Sequence, residues 1–204
     1  MIYHDVEQNT DEWRLLRLGK VTGSNAACYM ANDGKAFGEP AKSYALKIAL
    51  EMKTGKVAEY SFSNDHMVRG QEQEPIARMR YEQENFLIVG NGGFFDCGRH
   101  GDSPDGLILK DGIIEIKCVI ATTHYATLLR GSFDPAYRWQ LVSHLDCSER
   151  SWVDYLSYCS DFPEEKQMLV YRIYREQFKE ELKRLAERRH EFLELVDSTL
   201  RNIQ

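Results

Sequence analysis

The pair Asp111-Gly112, set between the apolar runs Gly106–Lys110 and Ile113–Val119, constrains this chain more than any other feature. Asp-Gly between two runs rich in β-branched residues predicts a β-hairpin. On its second strand, residues two apart point to the same face. Glu115 and Lys117 therefore share a face and Ile116 takes the other. The hairpin folds Asp105, in the tight turn Ser103-Pro104-Asp105-Gly106, back beside Glu115. Two carboxylates and an ammonium then meet on a patch of apolar sheet, where unpaired charge is costly. On these residues alone two readings stand: a surface hairpin with a Glu–Lys ion pair, or a site for a hard divalent cation. Mg²⁺ suits such a site because it takes oxygen ligands and keeps several waters. The apolar setting of the strand, residues 113–119, favours the cation.

The rest of the chain frames that hairpin. Thr10 is placed to cap a helix over Asp11–Leu18 that Gly19 stops, and a second short helix is expected near Thr22–Ser24. Ala31–Pro40 is a polar, Gly-rich loop. Pro40 opens a helix to about Lys53, with Tyr44, Ile48 and the stretch Leu46–Leu50 on its apolar side. A long helix is expected over Asn64–Asn85, carrying Met67, Glu74, Ile76, Ala77 and Tyr81. Pro75 implies a kink in it. Phe86–Val89 and Phe94–Cys97 precede the hairpin as strands. A helix over about Pro135–Cys147, strands at Ser151–Tyr158 and Gln167–Arg175, and a final helix from about Glu176 to Ile203 follow it. The order predicts an α/β fold: a mixed central β-sheet flanked by α-helices, in a single domain spanning residues 1–204.

Composition narrows the class. With 43% hydrophobic and 28% charged residues the chain reads as an ordinary soluble domain. It has no apolar run of roughly 18 residues that could span a bilayer. The N-terminus lacks an export pattern, so a cytoplasmic location and no membrane partner are expected. The five cysteines include no CxxC pair, which predicts reduced thiols rather than a disulfide framework or a zinc knuckle. None of the six histidines shows metal-ligand spacing. A net charge of −6 weighs against a nucleic-acid partner without excluding one, since basic residues can cluster locally.

Pro104-Asp105 followed by Glu115-Ile116-Lys117 resembles the PD-(D/E)xK nuclease motif. The segments WRLLRLGKVTGS, RGQEQEP, SPDGL, EIKC and AYRWQLVSHL, in that order, resemble the lambda-type, YqaJ-like phage exonucleases. The resemblance runs from residue 12 to about residue 150. It implies a restriction-endonuclease-like core. It also implies a 5′→3′ exonuclease that digests one strand of linear double-stranded DNA from 5′-phosphorylated ends, leaving single strands for recombination. Asp105, Glu115, the Ile116 carbonyl and Glu74 would ligate Mg²⁺ (or Mn²⁺), two ions in all, and Lys117 would act on the reacting phosphate. Arg17, Ser24, Ser103 and Gln140 would bind the 5′-phosphate. Met67 would wedge apart the first base pairs, and Lys35 would sit in a loop that grips duplex. A ring-shaped homotrimer, a single-strand annealing partner and a phage or prophage origin are further implications. The competing expectations are a PD-(D/E)xK endonuclease and a catalytically dead DNA-end-binding protein. A CRISPR-adaptation nuclease would call for four clustered cysteines, and they are lacking.

Overall fold

The computed structural model describes residues 1–32, 35–58 and 65–203, the side chains of 65–68 and 71 excepted. In chain order the elements are β1 (Ile2–His4), α1 (Asp11–Arg17), β2 (Val21–Thr22), α2 (Ala26–Met30), α3 (Glu39–Thr54) and α4 (Asp65–Asn85). There follow β3 (Val89–Asn91), β4 (Phe94–Asp96), β5 (His100–Asp102), β6 (Gly106–Ile108), β7 (Gly112–Cys118) and α5 (Ala121–Arg130). The chain ends with α6 (Arg138–Ser148), β8 (Trp152–Tyr158), β9 (Met168–Tyr174) and α7 (Lys179–Asn202). The result is α/β, with two mixed sheets flanked by helices.

The larger sheet has the order β3-β6-β7-β8-β9. Its central pair β7–β8 is parallel, in the register Glu115↔Tyr155 and Lys117↔Ser157, and its other pairs are antiparallel. A parallel pair needs a long crossover, and here α5 and α6 supply it. Both faces of this sheet are covered, so its strands are apolar on both sides. Ile113, Val153 and Tyr155 pack with α2, α3, α6 and α7, while Ile114, Ile116 and Leu156 pack against Ala77 and Tyr81 of α4. Asp154, buried on the α4 side, accepts from the Tyr81 hydroxyl at 2.6 Å and from two nitrogens of Arg172 at 2.8 and 2.9 Å.

The smaller sheet has the order β1-β4-β5-β2. The sequence reading missed β1, β2 and β5, because two or three residues are too few to show a period. It also had no element where α5 lies. Phe94–Asp96, expected beside the hairpin, belongs to this second sheet. The strand expected at Phe86–Val89 starts only at Val89, and Phe86 and Ile88 are exposed. Leu46 and Ile76 also point outward, so α3 and α4 bury a narrower face than expected. The hairpin itself differs in detail. Ile108 pairs with Gly112, so the loop is Leu109–Asp111, with Leu109 rather than Gly112 at positive φ (48°). Gly112 is needed for space: a Cβ there would lie 2.2 Å from the Trp152 ring.

Phe192 of α7 anchors the helical layer. It stacks on Tyr29 at 5.0 Å and on Tyr44 at 5.5 Å, with Phe37 edge-on at 5.8 Å. Phe192→Ala should therefore cost about 3–5 kcal/mol in urea unfolding. A loss below about 1 kcal/mol, the range of tolerated volume-conserving swaps, would show that the stack is not what fixes α7.

Candidate active site

The site forms where β6, β7, α4 and α6 meet. Asp105 directly precedes β6, and the register Gly106↔Ile114 sets it against Glu115. Its Oδ2 accepts from the Ile116 amide at 2.6 Å. The turn is held from two sides: Gln8 donates to the Pro104 carbonyl at 2.7 Å, and Arg78 of α4 donates to the Asp105 carbonyl at 3.2 Å. Arg78 also donates to the Val89 and Gly90 carbonyls. It thus fastens α4 to the sheet edge one turn beyond Glu74. α4 runs as continuous helix through Pro75, and this tether holds the turn that follows Glu74.

Glu115 is fully buried, and both of its oxygens are engaged. Oε1 accepts from Gln140 at 2.6 Å and lies 2.5 Å from the Lys117 ammonium. Oε2 lies 2.7 Å from His144 Nε2. The other ring nitrogen of His144 lies 3.1 Å from Asp102 Oδ2, off the line of an ideal hydrogen bond. Asp102 Oδ1 accepts from the Ser103 amide at 2.8 Å. A Cβ on Gly23 would fall 2.3 Å from the Asp102 carboxylate, so only glycine allows this backbone approach.

The charges set one another. Burial pushes the Glu115 carboxyl up, but Lys117 and His144 more than reverse this and hold it down to about 2. Burial alone would discharge Lys117, yet Glu115 and Asp105 keep it protonated. Part of Asp105 still meets solvent. Its carboxyl is nonetheless pushed well above the usual range, first by desolvation, then by Glu115 and Glu74. Glu74 is pushed up by desolvation and then by Glu115. The carboxyls of Glu74, Asp105 and Glu115 converge on the ammonium of Lys117, and burial and mutual repulsion hold those of Asp105 and Glu74 toward their protonated forms. A divalent cation with oxygen ligands would take the place of those protons. The donor set fits such an ion.

A second cluster lies beside α1. The Arg17 guanidinium sits 4.0 Å over the Trp13 ring. Trp13 Nε1 donates to Ser103 Oγ at 2.7 Å, and that hydroxyl donates to the Gly93 carbonyl. Arg17, Arg14, Lys20, Lys47, Thr22 and Asn25 help line a pocket of about 210 Å³. Arg14, Lys20 and Lys47 pair with Asp11, Asp96 and Glu51. No carboxylate pairs with Arg17 among the described residues. Burial lowers its pKa, against the opposing pull of Asp102. A desolvated guanidinium without an ion-pair partner in contact is suited to an anion.

Of the residues expected at a phosphate site, Arg17 lines this pocket and Ser103 stands behind its Trp13 wall. Ser24 lies 3.4 Å from both Thr22 and Asn25, which line it. Gln140 belongs instead to the carboxylate cluster. Lys35 is exposed in its loop, and its carbonyl accepts from Arg188 at 2.8 Å. The Met67 side chain lies outside the described residues. Sequence reasoning missed Asp102 and His144. His144 follows Gln140 by four on α6, the spacing of one helical face, and that was the available signal.

Residues 12–151 match the YqaJ-like viral recombinase domain. The chain belongs to that family. Two solved structures match nearly the whole chain. LHK-Exo in complex with dAMP is 33% identical over 95% of this chain and 98% of its own, with a TM-score of 0.81. The alkaline exonuclease LHK-Exo from Laribacter hongkongensis is 32% identical, with a TM-score of 0.79 and the same coverage. A phage-related exonuclease from Haemophilus somnus 129PT, 15% identical over 91% of this chain and 96% of its own, shares the fold at a TM-score of 0.67. No curated protein matches the chain.

His144 should be a determinant of stability. It is buried, and its pKa is raised to about 10: burial opposes the charge, but Asp102 and Glu115 outweigh it. A raised pKa means that its contribution is complete below the ordinary value of 6.5 and is lost as pH rises through about 10. In metal-free protein, urea unfolding should show this alkaline loss in the parent and not in His144→Gln. His144→Ala, which removes the cation between two buried carboxylates, should cost about 3–5 kcal/mol. Equal pH slopes in parent and glutamine variant would refute the bridging role.

Proposed function

We propose that this YqaJ-family chain, as one nuclease domain over residues 1–204, is a divalent-metal-dependent 5′→3′ exonuclease acting on ends of double-stranded DNA. The observation that carries this reading is the convergence of the Asp105, Glu115 and Glu74 carboxyls on Lys117, with those of Asp105 and Glu74 pushed up by burial and by Glu115. Asp105, Glu115, Glu74 and the Ile116 carbonyl would hold Mg²⁺, or Mn²⁺ in its place, as a pair of ions. The metal would polarise the scissile phosphate and lower the pKa of water. Lys117, kept charged by its neighbours, stabilises the charge that grows on the phosphate oxygens. Gln140 and His144 hold Glu115 in place for that work. Arg17 takes the 5′-terminal phosphate, flanked by Ser24 and backed by Ser103 through Trp13. Lys35 and Met67 would contact duplex.

The family and the alkaline exonuclease relatives support a nuclease of recombination. The direction of digestion, the 5′-phosphate preference and the metal are part of this proposal. So are a ring-shaped homotrimer, an annealing partner and a site of action in the host cytoplasm. None of the described helices is long and apolar enough to cross a membrane.

Lys117→Ala should lower the cleavage rate by about 10²–10³, by analogy with loss of an oxyanion donor, and leave DNA binding largely intact. Near-normal turnover would remove Lys117 from the chemistry. Calorimetry with Mn²⁺ should find two sites in the parent and fewer in Asp105→Asn or Glu74→Gln; one site throughout would sink the paired-metal reading. The test of the function itself is digestion of matched linear duplexes with 5′-phosphate or 5′-hydroxyl ends, against closed circles. The parent should strongly prefer the 5′-phosphate, and Arg17→Ala should erase most of that preference. Cutting of closed circles would favour an endonuclease. DNA-end binding without cleavage would favour a dead end-binder.

A further inference from the structure

We propose that Cys97, His100 and Cys147 form a binding site for one Zn²⁺ ion that pins the β4–β5 turn to the C-terminal end of α6. No local motif announces this site, because the three ligands come from two segments 47 residues or more apart and include no CxxC pair. The fold brings them together. One ligand atom from each lies within 4.8 Å of the other two.

The turn is built to present two of the ligands. Cys97-Gly98-Arg99-His100 reverses the chain tightly: the Cys97 amide donates to the His100 carbonyl at 2.9 Å, and the Gly98 amide donates to Asp96 Oδ1 at 2.8 Å. Gly98 takes φ +86°, a left-handed conformation that glycine adopts without strain. Cys97 and His100 thus stand at the two ends of a short turn, three positions apart. Cys147, buried on α6, closes the triangle, and the Cys97 thiol already points at the Cys147 carbonyl at 3.8 Å. Tetrahedral zinc with two sulfurs and an imidazole needs donor atoms about 3.8 Å apart or a little less. A contraction of about 1 Å from the present limit would meet that requirement. Two thiolates and a neutral imidazole suit a borderline-soft ion and not Mg²⁺. Three protein ligands leave a fourth position for water. Both thiols bind as thiolates, so their protons leave as the metal enters.

The placement gives the ion a consequence. His100 and Asp102 are two apart on β5 and share its face. His144 and Cys147 are three apart on α6 and share a face there. The cysteine–histidine cluster and the Asp102–His144 pair therefore lie along one β5–α6 interface. An ion at the first fixes the spacing of the second, and so the support behind Glu115.

The test uses the full chain, expressed with zinc and purified under reductant. Elemental analysis should find about one zinc per chain. Exchange with Co²⁺ should give sulfur-to-cobalt charge-transfer absorption, which an all-oxygen site at Asp105 and Glu115 cannot produce. That separates this site from the nuclease metal site. Cys97→Ser and His100→Gln should abolish the band or weaken zinc binding by at least roughly 10–100-fold, the cost of losing even an outer-shell partner. Cys28→Ser should keep both band and affinity. Zinc should raise the thermal midpoint of the parent and not of the two variants. Cys147 is buried, so if Cys147→Ser does not fold, the two half-buried turn residues carry the test. The proposal is overturned if the parent holds no zinc and gives no band. It is equally overturned if the band survives Cys97→Ser, or if Cys97 and Cys147 are joined by a disulfide in reductant-purified protein.

Discussion

A carboxylate buried in the middle of a sheet is the constraint around which this molecule is arranged. Glu115 has no exposed surface and stays charged. Removing a lone carboxylate from water costs far more than the whole stability of a domain, so the fold must bring partners to it. Lys117 comes from the same strand, because a period of two puts it on the same face. Gln140 and His144 come from α6. Asp102 then has to stand behind His144, which places β5, and with it the small sheet, against that helix. The second sheet thus has a clear electrostatic purpose, although its strands are too short to be stable alone.

Four consecutive residues tie the two halves of the site together. Asp102 supports His144, Ser103 holds the tryptophan under Arg17, Pro104 receives Gln8, and Asp105 faces Glu115. A desolvated cation and a cluster of crowded carboxyls are therefore fixed by one turn of backbone. Arg14, Lys20 and Lys47, which line the pocket with Arg17, are paired with local carboxylates, while Arg17 has no ion-pair partner among the described residues. Net charge is a poor guide to such a surface, because each pair cancels at short range.

The hairpin, the long helices and the neighbourhood of Asp105, Glu115 and Lys117 were legible in the sequence, because each rests on a local rule. A turn pair, a helical stripe and a two-residue period need only a few neighbours to declare themselves. What was not legible depends on contacts between distant segments. His144 reads as one more helical histidine until Glu115 and Asp102 are placed on either side of it. Gln140, expected near a phosphate, is drawn to the Glu115 carboxylate across 25 positions. Gly112 looked like a turn glycine and is instead a glycine for space beneath Trp152. The strands of the small sheet carry two or three residues each, and His100-Gly101-Asp102 has no apolar pattern at all.

The crossover topology explains how these distant partners become reliable ones. β7 and β8 are parallel neighbours, so the chain leaving the end of β7 must travel back to the start of β8. It does so through α5 and α6, and a right-handed return lays the crossover along one face of the sheet. Glu115 and Lys117 point to that face, as Ile113 does with its packing against the helical layer. A helix in that layer must pass over them, and its inward positions have to be polar where it does. Gln140 and His144 fill those positions, while Leu141 and Leu145, one residue further on, pack into the apolar cluster. The same connectivity that makes a parallel pair possible therefore delivers hydrogen-bond donors to the buried carboxylate. Replacing that helix face with apolar side chains would satisfy the packing and leave Glu115 without most of its support.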